Sequence, residues 1–151
     1  MDKISRGDAK KGILIIDDHE DIVFAYERYL RRKGFNNVYT ATTRIQAFQL
    51  IERHIDKISI VVLDWILDNH KDCREIITYL NASARKPLSL IFMSTRVDVP
   101  KEYYTQYIDK KFNASRFFTS KDAFLLYEEI KKALPGKKIK NRVLAPQMCT
   151  A

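Results

Sequence analysis

The stretch that most limits what this chain can become is Ile58 to Leu67, Ile-Ser-Ile-Val-Val-Leu-Asp-Trp-Ile-Leu, an apolar, β-branched run that contains one carboxylate near its end. It shows no alternation of polar and apolar positions. Both faces must therefore be covered, as they are for a central strand of a parallel sheet with helices on each side. The strand is expected to stop at Asp64. In an open α/β sheet the carboxyl ends of the central strands line the binding crevice, so Asp64 is expected at the mouth of a rigid frame. Alone, such an Asp reads as a helix cap or a solvated strand end. A second run changes that balance, because Gly12 to Ile16 is followed at once by Asp17, Asp18, His19 and Glu20. If the two strands are parallel neighbours, Asp17, Asp18 and Asp64 converge on one sheet edge. Two carboxylates ~4 Å apart repel by about 4 kcal/mol at an effective dielectric of roughly 20, so the cluster calls for a cation. Oxygen-only ligands of high charge suit Mg²⁺, which keeps waters and takes carboxylates together with a phosphoryl group.

Strand and helix patterns alternate five times, the order expected of an α/β fold with crossover connections. Ile22, Tyr26, Tyr29 and Leu30 share one face of a first helix, with Gly34 placed as its C-cap. Val38 to Ala41 forms a short second strand, and Ala47, Leu50, Ile51 and Ile55 mark a second helix. After the strand ending at Asp64 come a polar loop, Asp68 to Lys71, and a third helix through Leu80. Leu88 to Met93 is a fourth strand, ending in Ser94, Thr95 and Arg96. Pro100 fits the first turn of a fourth helix carrying Tyr103, Tyr104 and Tyr107. Arg116 to Thr119 reads as a short fifth strand. Ala123, Leu126, Tyr127, Ile130 and Leu134 give a last helix stopped by Pro135 and Gly136.

A length of 151 residues suits one domain. Its expected limits are 11–135, preceded by an N-terminal extension, 1–10, and followed by a basic, aperiodic tail, 136–151. Six of the eight excess positive charges lie from Ile130 onward, which leaves a nearly balanced body. A basic tail of this kind reads as a solvated extension and not as a specific nucleic-acid reader. No apolar run approaches the ~20 residues of a membrane span and no signal-peptide core opens the chain, so a cytoplasmic location is expected. Cys73 and Cys149 have neither disulfide-framework nor zinc spacing, and Cys73 falls in step with Ile76, Ile77 and Leu80, as a core residue would. His19, His54 and His70 show no metal-ligand spacing and read as surface or locally bonded residues.

At the strand ends an acceptor carboxylate, an acid pair, a hydroxyl (Ser94 or Thr95) and Lys121 make a phosphate site with nucleophile, cation, donor and countercharge. In this order they resemble the receiver domain of two-component response regulators, the CheY-like family, over about residues 10 to 135. The resemblance implies a flavodoxin-like, doubly wound parallel sheet of five strands in the order 2-1-3-4-5. It also implies roles: Asp17 and Asp18 holding Mg²⁺ together with Asp64 and the backbone carbonyl of Ile66; Asp64 as phosphoacceptor; Ser94 and Lys121 contacting the phosphoryl group; and Ser94 with Phe118 as the switch pair. Ile66 and Arg96 take the positions that flank the approach of hydrolytic water. The implied function is a phosphoacceptor switch, not a turnover enzyme. Its partner is a histidine kinase or histidine phosphotransfer protein, and its output surface is the face of the fourth helix, fifth strand and fifth helix, which can take a partner or a second copy.

The chain departs from the family pattern in places. The Pro and Gly usual after the acceptor are Asp68 and Asp72, the Pro usual after the lysine is Asp122, and the interval from Ser94 to Lys121 is longer. One rival is a pseudo-receiver that keeps the fold as a phosphorylation-independent interaction module; the complete acid, hydroxyl and lysine set argues against it. A second rival, a Mg²⁺-dependent phosphatase, usually needs a carboxylate two residues after the nucleophile, where this chain has Ile66.

Overall fold

The computed structural model describes residues 3–67, 71–93, 112–118 and 122–134. Among these the elements run α1 (Arg6–Ala9), β1 (Gly12–Ile16), α2 (Glu20–Lys33), β2 (Val38–Ala41), α3 (Arg44–His54), β3 (Ile58–Asp64), β4 (Ile66–Leu67), β5 (Lys71–Asp72), α4 (Arg74–Ser83), β6 (Leu88–Met93), β7 (Phe112–Phe118) and α5 (Ala123–Ala133). Five strands make one parallel sheet in the order β2-β1-β3-β6-β7, the 2-1-3-4-5 arrangement expected from the resemblance.

Strand parity divides the core into two layers. Leu14, Ile16, Val61, Leu63, Leu90 and Phe92 face α3 and α4, packing on Ala47, Ile51, Ile76, Ile77, Leu80 and the buried Cys73. Ile13, Ile15, Ile60, Val62, Ile91 and Met93 face α2 and α5, packing on Tyr26, Leu30, Leu126, Tyr127 and Ile130. Every residue of β1, β3 and β6 is buried, which is why these strands carry no alternation. Ser89, the polar residue on the α5 side of β6, donates to the Ala133 carbonyl at 2.9 Å and so satisfies an acceptor at the end of α5.

Local signals place the ends. Gly34 closes α2 at φ 111°, the left-handed conformation expected of it. Thr43 accepts from Gln46 N–H at the start of α3. Asp122, which stands where the family has Pro, accepts from the N–H groups of Phe124 and Leu125 and caps α5.

One feature differs from the sequence reading, and two add to it. The fifth sheet strand starts at Phe112, four residues before the expected Arg116, because pairing with β6 from Leu88 to Met93 recruits that length of backbone whatever its own pattern. Around the expected polar loop, of which residues 68–70 lie outside the described residues, Ile66 pairs with Asp72 and Leu67 with Lys71 in an antiparallel ladder. Residues 3–10 are docked on the sheet-bearing body: Asn36 N–H donates to the Ala9 carbonyl, Asn37 Nδ2 to the Lys10 carbonyl, and Ile4 packs against the α2/α5 layer. The expected fourth helix with its tyrosines and the basic tail, 136–151, lie outside the described residues.

Candidate functional site

The register of β1 against β3 pairs Ile16 with Leu63, so one step further brings Asp17 beside Asp64. Both acids continue the parity rows Ile13–Ile15 and Ile60–Val62, and their carboxylates therefore emerge on the α2/α5 side of the sheet. Trp65 N–H donates to the Met93 carbonyl at 2.9 Å, which carries the β3–β6 ladder past Asp64 and keeps that residue level with Met93. The Trp65 ring lies on the opposite face against Phe92. Ile66 N–H then turns back to Asp64 Oδ1 at 3.3 Å, and the β4/β5 ladder holds the chain in that reversal.

Asp17 is fully buried and Asp64 nearly so, whereas the Asp18 side chain is 34% exposed. One ligand atom from each of Asp17, Asp18, His19 and Asp64 lies within 4.8 Å of all the others. The structure thus brings together the three acids singled out from the sequence. His19, read there as a surface or locally bonded residue, is locally bonded and also joins the cluster. Asp17 Oδ1 accepts from His19 N–H at 2.9 Å, and His19 Nδ1 is 3.0 Å from Asp17 Oδ1 and 3.0 Å from Asp18 Oδ1. Its position directly after an acid pair at a strand end was the available signal.

Three carboxylates, two of them withdrawn from water, fit a hard divalent cation, because their mutual repulsion and lost hydration are offset only by a concentrated positive charge. A further group lies beneath them. Tyr26, on α2, is 1% exposed, and its hydroxyl is buried without a hydrogen-bond partner. Burial, followed by the charges of Asp17, Asp122 and Asp64, pushes this phenol well above its ordinary range. The helical pattern identified Tyr26 as core, and the signal for more was that a core Tyr carries a hydroxyl that needs a partner.

Met93, the residue before Ser94, pairs with Asp64 on one side and with Phe118 on the other. Asp64, Met93 and Phe118 thus form one row across three strands, which sets the backbone of Phe118 level with Asp64. Ser94, Thr95, Arg96 and Lys121 lie outside the described residues.

A doubly wound parallel sheet with acids gathered at the carboxyl ends of β1 and β3, the point where the strand order reverses, defines the flavodoxin-like class of α/β protein. Within that class the chain belongs to the response regulator receiver domain family, whose model matches residues 13–120; it is a receiver domain of two-component systems. Solved structures share the fold. A two-component response regulator from Clostridium difficile is 17% identical, with 85% of this chain and 99% of that chain covered at a TM-score of 0.65. A response regulator receiver domain protein from Clostridium thermocellum is 18% identical, with 82% and 93% covered at a TM-score of 0.65. A response regulator from Burkholderia pseudomallei, solved with a phosphorylated aspartic acid, a calcium ion and citrate, is 20% identical, with 83% and 67% covered at a TM-score of 0.64. The comparison with curated proteins returns no match.

Proposed function

We propose that this protein is a phosphoacceptor switch that takes a phosphoryl group from a phosphohistidine partner, a histidine kinase or a histidine phosphotransfer protein, onto Asp64. The observation that carries this reading is the convergence of Asp17, Asp18 and Asp64 at the ends of the two central strands. An Asp64 carboxylate oxygen attacks the phosphorus. The P–N bond breaks, its electron pair returns to the imidazole nitrogen, which takes up a proton, and the new P–O bond makes an acyl phosphate. When bound, Mg²⁺, held by Asp17, Asp18 and Asp64 with the Ile66 carbonyl, supplies countercharge to the phosphoryl oxygens. Burial of Asp64 at a strand end and the N–H of Ile66 on its Oδ1 orient the nucleophile. The phosphorylated aspartate and calcium ion of the Burkholderia pseudomallei regulator, on the same fold, support this chemistry.

Lys121 and Ser94 contact the phosphoryl oxygens, and Ser94 with Phe118 couples the modification to the face made by the fourth helix of the pattern, β7 and α5. That face takes an output partner or a second copy of the chain. The protein catalyses only its own phosphotransfer and dephosphorylation. The reading puts it in the cytosol, where ATP supplies the kinase; among the described residues no helix is long and apolar enough to cross a membrane.

Incubation with acetyl phosphate and Mg²⁺, followed by intact-mass measurement, tests the reading. One phosphoryl adduct is expected on the native protein and none on Asp64→Asn; an equal adduct on the variant overturns the assignment.

A further inference from the structure

Below the acid cluster, on the same face of the sheet, Tyr26 belongs to the buried layer that includes Ile13, Ile15, Ile60, Val62 and Leu126. None of those side chains offers a hydrogen-bond acceptor. The rows of β1 and β3 in that layer are the ones that end at Asp17 and Asp64. Side chains on a helix lean toward its N-terminus, and α2 begins at Glu20, beside the acids, so the ring of Tyr26 extends toward the site and not away from it. Its hydroxyl is fully enclosed and unpartnered. Of the three carboxylates whose charge acts on that hydroxyl, Asp17 acts most strongly, ahead of Asp122 and Asp64.

A carboxylate that binds a cation is usually held in place by hydrogen bonds from groups behind it. Above Asp17, the His19 N–H donates to its carboxylate, and the His19 side chain beside it is mostly solvent-exposed. Below it, in the apolar layer, the Tyr26 hydroxyl is buried with no hydrogen-bond partner. We propose that Tyr26 is a positioning residue of the acid site, its buried hydroxyl donating a hydrogen bond to the Asp17 carboxylate when that carboxylate holds a divalent cation. Tyr26 touches neither phosphoryl group nor cation; it orients a ligand. The inference rests on reading the acid cluster as a cation site.

Mg²⁺ titration of the native protein and of Tyr26→Phe, followed by the fluorescence of Trp65, the chain's one tryptophan and the neighbour of Asp64, provides the test. Phenylalanine preserves the ring and removes only the hydroxyl. The expected result is about tenfold weaker Mg²⁺ affinity in the variant. Its Mg²⁺-free melting temperature should be unchanged or higher, because an orphan hydroxyl has been replaced by an apolar group of the same shape. A purely structural tyrosine would not move affinity and stability in opposite directions. Infrared difference spectra should also show a phenol C–O shift on adding Mg²⁺ to the native protein and none in Tyr26→Phe. Equal affinities in native protein and variant overturn this inference alone. A lower Mg²⁺-free melting temperature also overturns it, since the hydroxyl then has its partner without the cation. If the native protein gives no Mg²⁺ response, the reading of the acid cluster falls and this inference falls with it.

Discussion

His19 Nδ1 lies 3.0 Å from Asp17 Oδ1 and 3.0 Å from Asp18 Oδ1, so one imidazole spans the two acids that a shared cation would bridge. His19 is also the N-cap residue of α2, yet its side chain makes no capping hydrogen bond and is turned to the acids instead. A divalent cation has to displace that contact. Mg²⁺ prefers oxygen ligands, so the imidazole competes with the ion and does not bind it. His19→Ala is expected to bind Mg²⁺ about fivefold more tightly, the equivalent of one lost hydrogen bond of ~1 kcal/mol, as read by Trp65 fluorescence. Weaker binding would identify His19 as a ligand.

Ile66 sits two residues past Asp64, half-buried, with its N–H on Asp64 Oδ1 and its backbone in the β4/β5 ladder. Its branched side chain offers no hydrogen bond to a water approaching a phosphoryl group on Asp64. Ile66→Asn leaves the backbone ladder in place and adds an amide that can orient that water. Phosphate loss should quicken by roughly tenfold, the kinetic equivalent of ~1.4 kcal/mol. A time course of the acyl phosphate by intact mass measures it, and an unchanged rate removes position 66 from control of water access.

Gly12 lies where β1 first meets β3. A Cβ there would stand 2.3 Å from the Lys57 carbonyl oxygen and 2.9 Å from its carbon, both backbone atoms, and the Gly12 N–H donates to that same oxygen. Relief requires β1 to move away from β3, the pair that aligns Asp17 with Asp64. Gly12→Ala is expected to cost about 2–4 kcal/mol in urea unfolding and to weaken Mg²⁺ binding with it. Unaltered stability would mean that the close approach is not maintained in solution.

Alkaline stability should carry the mark of Tyr26. Its phenol is raised by burial and by Asp17, Asp122 and Asp64, so the folded protein keeps a proton that the unfolded chain releases at a pH of about 10. The contribution is complete below that pH and is lost as pH rises through the folded value, at up to ~1.4 kcal/mol per pH unit. Urea midpoints at several pH values should fall more steeply for the native protein than for Tyr26→Phe above that point, and run parallel below it. Parallel behaviour throughout would show that the phenol is not shielded.

What the sequence determined by itself is local and periodic. Apolar runs without alternation identified the buried parallel strands, helical spacing identified the faces of α2, α3, α4 and α5, and Gly34 marked the end of α2. Asp17, Asp18 and Asp64 were legible for the same reason: a charge that directly follows a buried strand must emerge at the sheet edge. Only tertiary structure decided the rest, because it depends on groups far apart in the chain. Pairing with β6 drew Phe112 to Ser115 into β7, and Ile66–Leu67, beyond the expected strand end, found Lys71–Asp72, which carry no strand signal of their own, as β4 and β5. The N-terminal residues gained a place through the carbonyls of Ala9 and Lys10 meeting Asn36 and Asn37. Tyr26 shows the division within one side chain. Its spacing put the ring in the core, whereas the meaning of its hydroxyl came from the sheet, whose parity sets Asp17 and Asp64 above it on the same face.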